Sequence, residues 1–510
     1  MSFSLSQHKL LPQLSRWSYG LILIAVLAIS FQVHRRAGLT LPNPWNDEPR
    51  DLWAAKTWAE TGRFMAPELN PDRPVVLYGG GYAATVGLFM RAFGYTLETA
   101  RWLSWLGLAG AWIATARLLR PLPGSPLLLG LAGLFFLGPA HVVAGNMARP
   151  EALVLLIVTL GYGFLQKDQP LKAIFLCGLG VIVHPNALYF LLGTLVYVAI
   201  TPALWRRLWP PTRGDWIAIA ACSVPVLLSA AMIWSTWEWF YHDFFVVGLT
   251  YNLKFDPLSK LADFRWWLAL LGGLFLAARL LREQSAIWML YGLAALTVAL
   301  MGGEMWYDVY KMTGFMALLT GGPVVLFQIG ERLGRRWPGR PLGAACRRTG
   351  ELAAVLGLLA MGQLSYRHGF VVGPRHYPQK LSWGWGMIMA DPDVPYITAE
   401  DKRTVAELAM RAAGDHPAPL IEFPVTGDSF LFTEAISRPA IAFRRIHTDV
   451  PSQVEVYHLS RYIPAWVQTV ILRGMAARNI SESTPDYERD GTERWYVRAT
   501  ARPEPRMSEP

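Results

Sequence analysis

Apolar residues fill the chain in long blocks from Leu21 to Val371, divided by short polar or basic turns. A helix rises about 1.5 Å per residue, so about 20 mostly apolar residues are needed to cross a bilayer. Blocks of that kind lie at 18–34, 99–117, 125–144, 151–166, 172–184, 186–204, 215–236, 265–281, 286–303, 309–329 and 351–371. They predict about eleven spans, with 172–184 short and its end at His184-Pro185 ill defined. The first block follows Lys9 and Arg16 and runs on into Arg35 and Arg36 with no small-residue cleavage site, so it reads as an uncleaved first span. One further apolar stretch, 75–93, contains Gly79, Gly80 and Gly81 and carries Arg91 near its end. Glycine weakens helices, and this piece reads as lying along the interface.

Charge placement agrees. If 75–93 does not cross, one side of the membrane receives Arg117 and Arg120, Lys167 and Lys172, Arg206, Arg207 and Arg213, Arg279 and Arg282, and the cluster from Arg332 to Arg348. That is a positive-inside bias repeated over five loops, and it puts the N-terminus in the cytoplasm. The first external loop is also basic, with Arg35, Arg36, Arg50, Lys56, Arg63 and Arg73; long loops translocate regardless of charge, and a basic outer loop suits an anionic ligand.

Beyond the last block the character changes. Residues 1–372 read as a transmembrane domain, with a first external loop at 35–98, and 373–510 as a small extracytoplasmic α/β domain. Thr398 and Asp401 have capping-box spacing, Val405, Leu408, Ala409 and Ala412 form a helical stripe, and Gly414 ends it. Leu420–Val425, Ala440–Phe443, Val467–Leu472 and Trp495–Ala499 read as short strands. His447 with Asp449, and Glu455 with His458, read as surface polar residues there. The fold class is therefore a polytopic α-helical membrane protein with an appended α/β domain on the outer side; in a bacterial host that means the inner membrane, with the domain in the periplasm.

Composition narrows the reading. Of 510 residues 53% are hydrophobic and 16% charged, against about 25% charged in soluble domains. The net charge of +10 sits in the turns between apolar blocks, where it sets topology, so no nucleic-acid partner is implied. Cys177, Cys222 and Cys346 have no metal or disulfide spacing.

The first external loop is the most informative region. Asn43-Pro44-Trp45-Asn46-Asp47-Glu48-Pro49-Arg50 leads into an amphipathic helix over 51–61, which Gly62 ends. Acidic residues at a helix start also serve the helix dipole, so Asp47-Glu48 alone decides nothing. The order of motifs adds more: Gly62-Arg63-Phe64-Met65-Ala66-Pro67, then Asp72-Arg73-Pro74-Val75-Val76-Leu77-Tyr78, then Phe93-Gly94 and Ala100-Arg101, and finally Arg149-Pro150-Glu151. This series resembles the C-type (GT-C) glycosyltransferases, in particular protein O-mannosyltransferases and bacterial lipid A aminoarabinose transferases. It covers roughly residues 1–370 and is strongest in 43–110 and 140–160. Its specificity lies in the order, not in any one motif, and Glu151 stands where that family more usually has Asp.

The resemblance implies a sugar donor carried on a polyprenyl phosphate and a lipid, glycan or protein acceptor. Such transfer needs a base for the acceptor hydroxyl and positive charge for the departing phosphate. Asp47 is the expected base, with Glu48 in support and Glu151 as a second acidic residue. Arg73, Lys311 and Arg149 are the expected phosphate partners, Arg73 because its planar fork pairs phosphate oxygens, although an interfacial arginine also snorkels. His184 and Tyr307 are the expected substrate contacts. Some relatives hold a divalent cation near the acidic residues, but no ligand set in this sequence demands one. The aromatic loop from Trp237 to Asp263, with Lys254 and Lys260, reads as a headgroup-level anchor. A secondary transporter would instead place charges at mid-span; a non-catalytic scaffold is the remaining alternative.

Overall fold

The computed structural model describes residues 7–37, 47–66, 70–74, 80–241, 257–302 and 307–336, the single positions 345, 349 and 352, and five strands between 420 and 501. The expected span 351–371 and the expected helix after Thr398 lie outside the described residues, as do Cys346 and Lys254. For Asp47 and Arg73 the backbone course alone is described.

Helix α1 (Gln7–Ala37) is the first predicted span. Helix α2 (Asp47–Thr61) starts four residues earlier than its amphipathic pattern predicts. Asp47 and Glu48 suit the positive end of the helix dipole, and Pro49 in the first turn sacrifices only an N–H that no helical carbonyl would receive. Gly62 closes it at φ 77°, its N–H donating to the Trp58 carbonyl at 2.8 Å. A short antiparallel pair, β1 (Met65–Ala66) and β2 (Asn70–Pro74), carries the loop toward α3 (Gly81–Phe93). At 13 residues α3 extends about 20 Å, too short for the hydrocarbon layer, and it buries Tyr82, Val86, Gly87 and Met90 on one face.

The bundle continues with α4 (Leu97–Leu119), α5 (Ser125–Phe136), α6 (Pro139–Asn146), α7 (Glu151–Gln166), α8 (Pro170–Val183), α9 (Ala187–Ala199), the one-turn α10 (Pro202–Trp205), α11 (Arg213–Ser235) and the short α12 (Trp237–Tyr241). Helices α13 (Pro257–Leu280), α14 (Ser285–Met301) and α15 (Asp308–Arg336) complete it. One predicted span is corrected: 125–144 is not continuous but breaks at Gly138-Pro139, where α5 and α6 meet at 62°. Gly138 adds chain entropy and Pro139 removes a backbone donor and clashes with the preceding turn, so the helix must restart.

Among the described residues four helices are long and apolar enough to cross a membrane, within α1, α11, α13 and α15, or five if α5 and α6 together make one span. Helices α7, α8, α9 and α14 are apolar but have 13 to 17 residues. Large apolar side chains face outward, among them Leu21, Ile24, Ile217, Leu227, Leu228 and Trp266, as a lipid-facing surface requires. The inner surface is one apolar core built on Trp112, Tyr162, Phe190, Trp288, Tyr291 and Met316.

The two ends of the bundle differ. At one end Gln166 donates to the Leu118 carbonyl at 3.0 Å, Arg207 to the Asp168 carbonyl at 3.2 Å and Arg279 to the Ile200 carbonyl at 2.9 Å, while Arg332 pairs with Glu283 at 2.9 Å. The basic turns inferred to share one side of a membrane thus touch one another. The opposite end gathers the start of α7, the turn between α8 and α9 and the start of α15.

The C-terminal region contains a five-stranded mixed sheet in the order β4-β3-β5-β7-β6, with β3 (Leu420–Glu422), β4 (Phe443–Arg445), β5 (Glu455–Leu459), β6 (Ile480–Arg489) and β7 (Trp495–Ala501). Strands β3 and β7 fall on expected segments, and the expected Ala440–Phe443 is met two or three residues later by β4. Strands β5 and β6 had no alternating apolar signal; β5 contains Glu455 and His458, and β6 begins Ile-Ser-Glu-Ser-Thr-Pro.

Candidate functional site

The site is built from the ends of helices that are distant in sequence. Glu48, in the first turn of α2, and Arg101, in the second turn of α4, are both fully buried. They pair through both oxygens: Arg101 Nε donates to Glu48 Oε1 at 3.0 Å and Nη2 to Oε2 at 2.9 Å. The Ala148 backbone N–H also donates to Glu48 Oε1, at 2.7 Å. One carboxylate therefore ties three segments, 53 and 100 residues apart, to a single point. Buried ions tolerate the loss of water only when their hydrogen-bonding capacity is filled in this way. Glu48 holds the start of α2 against the loop that enters α7, and its lone pairs are committed to that task.

The next residue in that loop is Arg149. Its Nη2 donates to Glu151 Oε1 at 3.0 Å, and both side chains are nearly buried. Pro150 between them accounts for the geometry: it starts α7 and lets Arg149 fold back over the helix N-terminus, where Glu151 also answers the dipole. Around this pair stand His184, Tyr82, Tyr307 and Tyr310, each within electrostatic reach of Glu151.

His184 ends α8 in extended backbone because Pro185 follows, and the Asn186 N–H donates to its Nδ1 at 3.2 Å. That bond leaves Nε2 as the protonated nitrogen of a neutral ring. Two glycines bring the interfacial helix in. A Cβ on Gly81 would stand 2.5 Å from the Ile182 carbonyl oxygen, and one on Gly87 would stand 2.4 Å from that of Ala55. Without side chains there, α3 packs backbone-close to both α8 and α2, and Tyr82 is carried into the buried end of the bundle. Burial, and then the negative charge of Asp51, Glu48 and Glu151, raise the Tyr82 hydroxyl well above the usual tyrosine value. Tyr307 is raised as well, first by burial and then by Glu151, with Arg149 and Asn186 pulling the other way.

The expected residues are therefore distributed as follows. Glu48, Arg149, Glu151, His184 and Tyr307 come together at the end of the bundle away from the basic turns. Asp47 opens α2 next to Glu48, and Arg73 lies in β2. Lys311 lies one turn into α15, 3.7 Å from Asp308 of the same helix, its side chain 24% exposed; such a loose pair is worth little and lets its ammonium turn to a ligand. Sequence reasoning gave no role to Arg101, Asp51, Tyr82 or Asn186, all buried here. In the sequence, Ala100-Arg101 stands out only as part of the motif series. Asp51 lies one helical turn beyond Asp47, a spacing that puts two carboxylates on one face and was the available signal. Among the described residues no group of three His, Cys, Asp or Glu side chains could hold a metal ion.

Two crystal structures of ArnT from Cupriavidus metallidurans resemble this protein at 14% identity, each comparison covering 93% of this chain and 97% of the ArnT chain. One of them is bound to undecaprenyl phosphate (TM-score 0.48) and the other is in the apo state (TM-score 0.49). A likeness of that degree assigns no role to any residue. No protein-family model matches the chain, and no curated protein does.

Proposed function

We propose that this protein is a membrane glycosyltransferase that moves a sugar from a polyprenyl-phosphate carrier to a lipid, glycan or protein acceptor, at the outer face of a bacterial inner membrane. The observation that carries the reading is the meeting of α2, with its two aspartates, and the buried Arg149–Glu151 pair at the end of the bundle away from the basic turns. Basic turns favour the cytoplasm, so the N-terminus is cytoplasmic, the site faces outward, and residues 373–510 form a periplasmic domain.

The chemistry follows from the residue types. The acceptor hydroxyl attacks C1 of the sugar, its proton passes to the Asp47 carboxylate, and the C1–O bond to the carrier phosphate breaks. Negative charge builds on that phosphate, and Arg149, Arg73 and Lys311 are the cations assigned to meet it. Glu151 keeps Arg149 oriented, Glu48 keeps α2 in place, and neutral His184 and Tyr307 offer hydrogen bonds without adding charge. Attack opposite the leaving phosphate inverts C1. Charge placement weighs against a transporter: among the described residues the buried ionic groups Glu48, Asp51, Arg101, Arg149, Glu151 and Asp215 all lie within the first two turns of a helix or in the loop before one, and none at mid-span.

The test is donor consumption by protein in lipid nanodiscs, offered radiolabelled polyprenyl-phosphate sugars and candidate acceptors. Wild type should consume one donor, and Asp47→Asn should be slower by about 10²–10⁴-fold. Equal and equally slow consumption of every donor by both would remove Asp47 from the mechanism.

A further inference from the structure

Three buried hydrogen-bonding groups beside the Arg149–Glu151 pair have no hydrogen-bond partner among the described residues: the hydroxyls of Tyr310 and Tyr82 and the Nδ2 amide of Asn186, which lies near the Tyr307 and Tyr310 hydroxyls. Tyr310 is fully enclosed; the other two residues, Tyr82 and Asn186, are 4% and 9% exposed. Native proteins leave few such groups unsatisfied, because each costs free energy comparable to a lost hydrogen bond. Tyr82 and Asn186 both sit on backbone that is fixed independently of these groups. Tyr82 is one residue from the Gly81–Ile182 contact, and the Asn186 main chain is held by its bond to His184 Nδ1 at 3.2 Å. Neither side chain is therefore a by-product of a loose loop. Charge does not explain them either, since Arg149 and Glu151 already neutralise each other at 3.0 Å.

We propose that Tyr82 and Asn186, both near the Arg149–Glu151 pair, form the subsite for the sugar ring of the donor, each hydrogen-bonding a sugar hydroxyl. Uncharged, unpaired donors match a neutral, hydroxyl-rich ligand, whereas a phosphate would draw on the nearby cations. The assignment makes these two residues determinants of which sugar is accepted, because a hydroxyl of the wrong configuration would leave the phenol and the amide unpaired again. It rests on the transferase reading above.

Three proteins in nanodiscs test it: wild type, Tyr82→Phe and Asn186→Ala. Two quantities are read, the affinity for bare undecaprenyl phosphate and the KM and kcat for whichever glycosyl donor wild type consumes from a panel of glucosyl, mannosyl, galactosyl and 4-amino-4-deoxyarabinosyl carriers. The expected result is a loss of about tenfold in kcat/KM per group removed. Affinity for the bare carrier should stay within about twofold, and the thermal midpoint of Tyr82→Phe should be no lower than that of wild type, since a buried hydroxyl without a partner has been taken away. Unchanged kcat/KM in both variants would overturn the subsite, and the two groups would then be served by water. An equal loss for the bare and the glycosylated carrier would overturn it as well, by moving both residues to the phosphate. Failure of the transferase reading itself shows differently, in a wild type that neither binds the carrier nor consumes any donor.

Discussion

Arg101→Met would leave the fully buried Glu48 carboxylate without its guanidinium counter-charge. Breaking a buried ion pair from one side costs about 3–5 kcal/mol, because the remaining charge is uncompensated. Glu48→Met takes the carboxylate away from the buried guanidinium and should cost a similar amount, so independent effects would sum to about 6–10 kcal/mol. The double variant removes both charges together. What remains is an Ala148 N–H without its acceptor, a penalty of about 1–3 kcal/mol, and two methionines that fill the volume. The double variant should therefore be more stable than either single one. Unfolding in mixed detergent micelles, titrated with sodium dodecyl sulfate and followed by tryptophan fluorescence, measures all four corners of the cycle. Donor turnover should fall with the single variants too, because α2 loses its anchor to the loop carrying Arg149. Additive effects, or single effects below about 1 kcal/mol, would refute the claim that this carboxylate holds the three segments together.

Other predictions follow the same logic. Gly81→Ala puts a methyl group 2.5 Å from the Ile182 carbonyl; overpacking of that kind costs about 1–3 kcal/mol, and the same detergent titration should show it together with reduced turnover. Glu151→Gln removes the carboxylate charge paired with Arg149, so turnover at saturating donor should fall while affinity for bare undecaprenyl phosphate holds or rises; a rise in turnover would contradict an orienting role for Glu151. Burial raises the Tyr82 and Tyr307 hydroxyls above their unfolded value, so the folded state holds these protons more tightly. The stability they contribute is fully present below the ordinary tyrosine range and is lost as pH rises from that range through the higher folded-state values. Tyr82→Phe should flatten that alkaline decline in the thermal midpoint, and an unchanged slope would count against the burial.

The helical bundle was legible because lipid imposes the simplest of patterns, a run of apolar residues whose length is set by the bilayer. The pattern failed at Gly138-Pro139, where both flanks are apolar enough to hide a 62° break, and at helices α7 to α9, whose 13 to 16 residues carry the same composition as full spans. In the site, Glu48, Arg149, Glu151, His184 and Tyr307 could be picked out because a polar residue beside an apolar block needs a reason. Their roles could not. Nothing in the local sequence distinguishes Glu48 from Asp47, and only the position of Arg101, 53 residues on, shows that Glu48 is committed to an ion pair. Tyr82 was invisible for a related reason: in an apolar stretch a tyrosine reads as an interfacial aromatic. Its depth comes from two glycines that let α3 approach α2 and α8, a contact between segments that no period within α3 can encode.

A polyprenyl phosphate bearing a diazirine beside its phosphate, photolysed with the protein in nanodiscs and mapped by mass spectrometry, tests the central claim most directly. The account predicts label on the start of α2, on residues 147–151, and on the turn from His184 to Asn186. Label confined to the lipid-facing sides of α11 and α13, or to the basic turns at the opposite end, would contradict it.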